Sequence, residues 1–154
     1  MLADLASYGM DKTEFLFDAN KSGRFQPLSK VASGGELSRL MLIIKSLVAK
    51  SLQLPTLIFD EIDTGISGEA ARQVGMIMKE LSLLHQLIVI THQPQIAAKA
   101  AAHYYVYKAI KGDKITTSVK LLTPDERITT IATMLAGEKP TAAAFENARE
   151  MIGN

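Results

Sequence analysis

The 154-residue sequence has no cysteine, no long apolar run and no excess of either charge. The absence of cysteine excludes a disulfide scaffold, a zinc site with cysteine ligands and a thiol nucleophile. No apolar run approaches the roughly 18–20 residues of a membrane span, and the start lacks the basic and apolar regions of a signal peptide. The net charge of +1 indicates neither a nucleic-acid-binding domain nor an acidic tail.

The residues that are present have an ordinary globular balance. Hydrophobic residues make up 47% of the chain and charged residues 21%, which argues against disorder. The length suits one domain, or part of one, at about 100–200 residues per domain. We therefore expect residues 1–154 to form a single unit in the cytoplasm.

Two short apolar runs predict neighbouring strands at the centre of the fold. Residues 56–59 and 87–90 are continuous apolar runs, a pattern typical of strands that are buried on both faces. Between them, residues 69–84 have the apolar periodicity of a helix. A strand, a helix and a strand in this order predict a βαβ unit with parallel strands and a right-handed crossover.

Other predicted segments flank this unit. An apolar stripe over residues 33–50 predicts an amphipathic helix, and alternating residues predict an antiparallel hairpin that turns at residues 111–113. Thr123 to Glu126 has the form of a capping box, and the helix that it opens should end at Gly137. The remaining elements are a strand at 13–17, a polar loop at 20–27, a short helix from Pro94 with Ile96, Ala97 and Ala100 facing inward, and a last helix at 141–152. The pattern predicts an α/β fold with a parallel βαβ core, flanking helices and an antiparallel hairpin.

The start of the first long helix is a candidate anion-binding site. Ser33, Gly34, Gly35 and Glu36 lie where first-turn N–H groups have no helical partner and the helix dipole favours an anion. The two glycines allow a phosphate to approach the backbone closely, and the Ser33 hydroxyl adds a donor. Considered alone, a plain serine N-cap accounts for this segment at least as well.

Polar residues also follow each predicted strand. Asp60 and Glu61 lie at the carboxyl end of the first, where open α/β sheets bind ligands. Asp60 is a candidate Mg²⁺ ligand, usually through water, and Glu61 a candidate base for an attacking water. His92 follows the second strand and is a candidate for bonding a terminal phosphate. The alternatives are a solvated acidic turn and a histidine with a structural role only.

Together, the three segments suit a nucleotide triphosphatase, in which catalysis consists mainly of positioning and charge stabilisation. Residues 33–36 resemble the signature motif of ATP-binding-cassette ATPases, residues 57–61 their Walker B strand and His92 their switch histidine. The longer strings at residues 31–39, 59–68 and 90–98 resemble a bacterial DNA-repair family related to the structural-maintenance-of-chromosomes (SMC) proteins. The resemblance runs from about Gly9 to the end and implies the C-terminal lobe of an ATPase head.

The resemblance implies a role for each candidate residue. Asp60 would help to hold Mg²⁺, Glu61 would be the general base for ATP hydrolysis, and His92 would contact the γ-phosphate. Residues 64–67 would form the loop that crosses the seam between two heads, with Ser67 where many cassette ATPases have aspartate. The residues that would reach an ATP bound to the second head are Ser33, Gly34, Gly35 and Glu36.

The resemblance also implies parts that this sequence does not contain. It has no Gly-x-x-x-x-Gly-Lys-Ser/Thr loop to hold the α- and β-phosphates, and no sustained heptads of a coiled coil. We expect a Walker A lobe and a coiled coil elsewhere in a longer protein, and no ATPase activity from this chain alone. The implied partners are the N-terminal Walker A lobe, a second head in a homodimer and, through the full-length protein, DNA at the bacterial nucleoid, without a membrane.

Two other functions stay open at this point. A transporter cassette shares the three motifs, although Glu36 and Ile62 stand where transporters more often have Gln and Pro. A non-catalytic dimerisation module would keep the fold, but it would have no chemical need for Asp60, Glu61 and His92 together.

Overall fold

The computed structural model describes Gly9 and residues 14–18, 21–28, 34–111 and 114–153. In chain order the elements are β1 (Leu16–Phe17), β2 (Gln26–Pro27), α1 (Gly34–Leu52), β3 (Thr56–Asp60), α2 (Gly68–Leu81), β4 (Gln86–Ile90), α3 (Pro94–Ala97), β5 (Tyr104–Lys111), β6 (Lys114–Leu121), α4 (Pro124–Ala136) and α5 (Ala142–Gly153). The predicted α/β class is confirmed. No helix within the described ranges is long and apolar enough to cross a membrane.

Strands β3 and β4 form the predicted parallel pair. Thr56 pairs with Gln86 and Asp60 pairs with Ile90, so the two strands start and end level with each other. Helix α2 connects them and completes the βαβ unit. Because the register is level, the chain leaves both strands at the same edge of the sheet.

The prediction that these strands are buried on both faces is wrong for this chain. Phe59 is only 2% exposed, whereas Ile58 and its partner Ile88 are 63% and 46% exposed. Side chains alternate between the two faces of a strand, so Phe59 and its neighbours contact the core while Ile58 and Ile88 lie on the opposite face. That face has no covering element in the part of the chain that the structure describes.

Two apolar cores meet at the short helix α3. The first joins α1, β3, α2 and α3 and consists of Leu42, Phe59, Ile66, Ala71, Val74, Met78 and Ile96. The second joins α3 to α4 and α5 and consists of Ala97, Ala98, Ile131, Ala132 and Ala148. Ile96 and Ala97 are buried as predicted, but Ala100 is exposed and Ala98 takes the inward place. The reason is that α3 ends at Ala97, so helical periodicity does not extend to residue 100.

The capping box of α4 is confirmed. The Thr123 hydroxyl accepts the Glu126 N–H at 3.3 Å, and the Glu126 carboxylate accepts the Thr123 N–H at 3.1 Å. Gly137 follows the last residue of α4 with φ of +83°, a conformation that glycine adopts without strain. The helix therefore begins and ends where the sequence predicts.

The other predicted bounds agree less well near the N-terminus. Of the strand predicted at 13–17, Thr13 lies outside the described residues and only Leu16–Phe17 forms a strand, which pairs with Gln26–Pro27. The last two residues of the loop predicted at 20–27 are therefore a strand, because they pair with the backbone of Leu16–Phe17. The predicted Ser33 cap and residues 112–113 of the hairpin turn lie outside the described residues.

Strands β5 and β6 form the predicted antiparallel hairpin, with Tyr104 opposite Leu121 at its open end. On one face, the rings of Tyr105 and Tyr107 stack with their centroids 6.0 Å apart. The opposite face is mostly apolar, with Lys108 and Thr117 at its middle. Its large apolar side chains are each more than half exposed: Tyr104, Val106, Ile110, Ile115, Val119 and Leu121. Within the described ranges, this apolar face has no cover.

Candidate functional site

The carboxyl ends of β3 and β4 place the candidate acidic residues and the histidine at one sheet edge. Asp60 and Ile90 are directly paired, so Glu61 and Thr91 leave the sheet side by side. Glu61 has φ of +49°, a left-handed conformation that few non-glycine residues adopt. The Thr64 N–H and hydroxyl both donate to the Glu61 carbonyl, at 3.2 and 2.9 Å, and close the turn that holds it. Asp60 and Glu61 are both exposed at this edge.

The segment that follows β3 contacts the start of α1. We call residues 61–67 the β3 loop. A Cβ atom on Gly35 would lie 2.7 Å from the Gly65 carbonyl oxygen and 3.4 Å from Ile66 Cγ2. Gly65 itself has φ of +74°. The two backbones therefore approach so closely that glycine is the residue that fits, and the predicted signature segment contacts the loop that carries Glu61.

A buried carboxylate joins the β3 loop to the segment that follows β4. We call residues 91–93 the β4 loop. The Asp63 side chain is 0% exposed. Its Oδ2 accepts the Thr91 hydroxyl at 2.5 Å, the His92 N–H at 3.0 Å and the Gln93 N–H at 3.2 Å. The same oxygen lies 3.1 Å from His92 Nδ1.

Gln93 makes a second connection between the two loops. Its Nε2 donates to the Ile66 carbonyl at 3.0 Å and lies 3.2 Å from His92 Nε2. The His92 ring thus lies between the Asp63 carboxylate and the Gln93 amide, while its side chain remains 70% exposed. The ring is oriented by the protein and accessible from solvent.

The structure therefore brings together the three segments that the sequence singled out, with the β3 loop between them. Gly35 is buried against that loop, Glu36 is half-buried beside it in α1, and Gly34 begins the helix. Ser33 lies outside the described residues. The catalytic, nucleotide-binding and metal-binding roles of the candidate residues stay predictions.

The sequence reasoning missed Asp63, Thr91 and Gln93 as site residues. Asp63 stands three residues after Asp60, and the strand pattern gives it no distinctive position. The nearby Ile62 and Ile66 could have indicated that Asp63 is buried. A buried carboxylate needs hydrogen-bond donors, so it would then have been a candidate site residue. The donors come from a loop that is about 30 residues away in sequence, as the Asp63–Gln93 bond shows.

The candidate metal ligand at this edge is the single exposed carboxylate of Asp60. Within the described ranges, no group of three or more His, Asp or Glu residues is arranged to hold a metal by itself. Mg²⁺ typically binds through one or two carboxylates, several waters and the phosphates of a substrate. An exposed carboxylate at a strand end, as Asp60 supplies, suits that mode of binding.

Comparisons with solved structures define the class of fold. An SMC ATPase structure described by ATP-driven dimerization and DNA-stimulated activation matches with a TM-score of 0.59 and 20% identity, over 77% of this chain and 70% of that one. The SMC head domain of Thermotoga maritima matches with a TM-score of 0.53 and 26% identity, over 65% of this chain and 36% of that one. The chain has the fold of part of an SMC-type head, as the resemblance implied. No family model matches it.

Sequence relatives specify this further. DNA repair protein RecN of Bacillus subtilis is 40% identical over 148 residues, or 96% of this chain, and RecN of Treponema pallidum is 43% identical over 94% of this chain. RecN of Deinococcus radiodurans is 43% identical over 98% of it. The chain is RecN-like along nearly its whole length, and it spans about a quarter of the length of these relatives, 25–26%.

Proposed function

We propose that this chain supplies the signature, Walker B and switch-histidine parts of an ATPase head that hydrolyses ATP between two paired heads, in a bacterial protein of DNA double-strand-break repair and recombination. The observation that carries the proposal is the meeting of three segments at the β3 loop. The start of α1 contacts the β3 loop at Gly65 and Ile66, and the same loop is hydrogen-bonded to the segment after β4 through Asp63. The RecN-like sequence supports the repair function.

The exposed side chains at the sheet edge divide the chemistry between them. Asp60 would hold Mg²⁺ through water, and the metal would neutralise charge on the β- and γ-phosphates. Glu61 would take a proton from the attacking water, which its exposed position allows. His92 would face the γ-phosphate from the neighbouring strand. The start of α1 would offer unpaired N–H groups to the ATP of the second head: Ser33, Gly34, Gly35 and Glu36.

The proposed partners are the Walker A lobe of the same protein, a second head and, through the longer protein, DNA. Two exposed apolar faces support the Walker A lobe as a partner. Ile58, Ile88 and Ile90 are exposed on one face of the parallel pair, and the apolar face of the β5–β6 hairpin is exposed as well. Large exposed apolar surfaces are typical of interaction sites. We place the longer protein at the nucleoid in the bacterial cytoplasm, on the basis of its similarity to bacterial RecN.

The transporter alternative is less well supported than the repair function. The relatives reported above are DNA repair proteins, and the matched structures are SMC heads. A non-catalytic dimerisation module remains the competing hypothesis. It differs from the proposed function in one measurable property, because a module of that kind does not hydrolyse ATP in any assembly.

The test uses the longer protein that contains this chain, with Glu61→Gln as the informative variant. Removing the general base should lower ATP turnover by at least about 100-fold, while ATP binding is retained. ATP should then accumulate paired heads, which light scattering detects as a doubled mass. Glu80→Gln is the matched control, because Glu80 is exposed near the end of α2 and lies outside the site. It should leave turnover and pairing unchanged.

Each other outcome has a defined meaning. Normal turnover in the Glu61→Gln variant would remove Glu61 from the role of base. Absence of turnover in the parent protein, with ATP and Mg²⁺ present, would reject the ATPase function in favour of the dimerisation module. The 154-residue chain alone should show no turnover, and appreciable hydrolysis by a pure sample would contradict the need for a Walker A lobe.

A further inference from the structure

The Asp63 carboxylate is buried in a way that calls for an explanation beyond packing. Its side chain is 0% exposed, and removing a charged carboxylate from water is costly unless donors compensate it. All its described donors contact one oxygen, Oδ2, whereas Oδ1 is buried without a hydrogen-bond partner among the described atoms. A residue that served only to fill space in the core would be apolar.

The donors come from one short segment. Thr91, His92 and Gln93 are consecutive, and each donates to the same oxygen at 2.5, 3.0 and 3.2 Å. Two of these bonds come from backbone N–H groups, so they fix the path of the chain as well as the side chains. The loop that carries the switch histidine is therefore held by a carboxylate from the β3 loop, which also carries Glu61.

Two neighbours of the His92 ring, the Asp63 carboxylate and the Gln93 amide, both favour a proton on Nδ1. His92 Nδ1 lies within ion-pair distance of Asp63 Oδ2, at 3.1 Å. A carboxylate oxygen only accepts, so a proton on Nδ1 is favoured there over a lone pair that faces the anionic oxygen. An amide nitrogen only donates, so the ring atom 3.2 Å from Gln93 Nε2, which is His92 Nε2, must accept. The orientation of the Gln93 amide is fixed independently, because its nitrogen faces the Ile66 carbonyl at 3.0 Å.

We propose that Asp63 is a positioning residue that fixes the β4 loop and holds His92 with its proton on Nδ1, so that Nε2 is the ring nitrogen presented outward. The consequence for hydrolysis rests on the proposed ATPase function. The bonds from Asp63 hold the β4 loop, and therefore His92, in one position at the sheet edge that carries Glu61, so a looser loop should slow hydrolysis.

The first test reads the ring directly and does not depend on activity. The chain contains three histidines, His85, His92 and His103, so ¹⁵N-histidine labelling gives few signals, and the one lost in His92→Asn identifies the ring. Without nucleotide, the nitrogen shifts of His92 should show the Nδ1–H tautomer. In Asp63→Asn the proton should redistribute toward Nε2, because the anionic acceptor is gone. Asp125→Asn is the matched control, since Asp125 is exposed at the start of α4.

The parent protein by itself makes this test decisive, even where Asp63→Asn does not fold. If the parent ring carries its proton on Nε2, the proposal is overturned. A further variant, Gln93→Leu, removes the amide that donates to Nε2 and leaves the Asp63 contact in place. The Nδ1–H form should persist in that variant, and its loss there would assign the tautomer to Gln93 instead of Asp63.

The second test measures turnover in the longer protein. Asp63→Asn should lower kcat by about 10–100-fold, by analogy with the loss seen when the carboxylate that orients a metal-ligating histidine is removed, with KM for ATP changed by less than about 3-fold. Asp125→Asn should have parent kinetics. An active parent with unchanged kcat in Asp63→Asn would reject the positioning role while the ATPase function stands. An inactive parent would reject the ATPase function. The tautomer of His92 would then still test whether Asp63 positions the ring.

Discussion

The close approach of Gly35 to Gly65 predicts a destabilisation by the smallest possible side chain. In Gly35→Ala, the new Cβ would lie 2.7 Å from the Gly65 carbonyl oxygen and 3.4 Å from the Gly65 carbonyl carbon. Both are backbone atoms, so no side chain can rotate away. The start of α1 and the β3 loop must move apart, which opens the contact between the predicted signature segment and the loop that carries Glu61 and Asp63.

The magnitude follows from two opposing effects. Overpacking at a close contact costs about 1–3 kcal/mol, and replacing glycine in a helix by alanine returns at most about 1 kcal/mol. The net loss of unfolding free energy should be about 1–2 kcal/mol, which lowers the urea midpoint by roughly 1 M at an m-value of about 1–2 kcal/mol/M.

Urea denaturation followed by circular dichroism measures this difference. Gly153→Ala is the matched control, because a Cβ there meets nothing within 4 Å at the end of α5. Its free energy of unfolding should stay within about 0.5 kcal/mol of the parent. If Gly35→Ala were as stable as the control variant, the backbone contact between α1 and the β3 loop would not exist in solution, and the meeting of the three segments would lose its structural basis.

Two further predictions concern stability alone. Thr123→Ala removes the hydroxyl of the confirmed capping box and should lower the free energy of unfolding, measured by urea denaturation, by about 1 kcal/mol. Thr123→Ser keeps the acceptor oxygen and should leave that free energy unchanged. An equal loss in both variants would contradict the capping role. Burial lowers the pKa of His103 below its ordinary 6.5, and the positive charge of Arg127 lowers it further. Between the folded pKa and 6.5, the folded state therefore binds fewer protons than the unfolded chain, so stability should fall as the pH drops through this window. The fall should be shallower in His103→Gln when the free energy of unfolding is measured against pH, and an identical slope in both proteins would show that His103 is not the group responsible.

The Glu126 carboxylate provides an internal check on that pH dependence. The hydrogen bond from Lys120 lowers the pKa of Glu126 below its ordinary 4.5, with a smaller effect from the Thr123 N–H. Its contribution is present above that ordinary value and is lost as the pH falls through the folded pKa. The Glu126 effect begins only below 4.5, whereas the fall due to His103 begins at 6.5, so the part of a pH titration above 4.5 reports on His103 without Glu126.

The sequence by itself determined the parallel core and the two sheet-edge segments. Continuous apolar runs at residues 56–59 and 87–90 predict strands, and a helix between two neighbouring strands predicts that they are parallel, as the structure shows. The capping residues at Thr123 and Gly137 set the bounds of α4, because caps act through the backbone within one turn. The motif strings predicted the SMC-like relationship because each is a short continuous stretch of sequence, which can be recognised without knowing its contacts.

Only the tertiary structure decided the features that depend on distant partners. Whether Ile58 is covered depends on which elements lie over the sheet, and the strand pattern carries no information on that. The donors of Asp63 come from residues 91–93, so the role of that carboxylate appears only when β3 and β4 lie side by side. The glycine required at Gly35 likewise depends on Gly65, 30 residues away, because the clash arises between two backbones that the fold brings together.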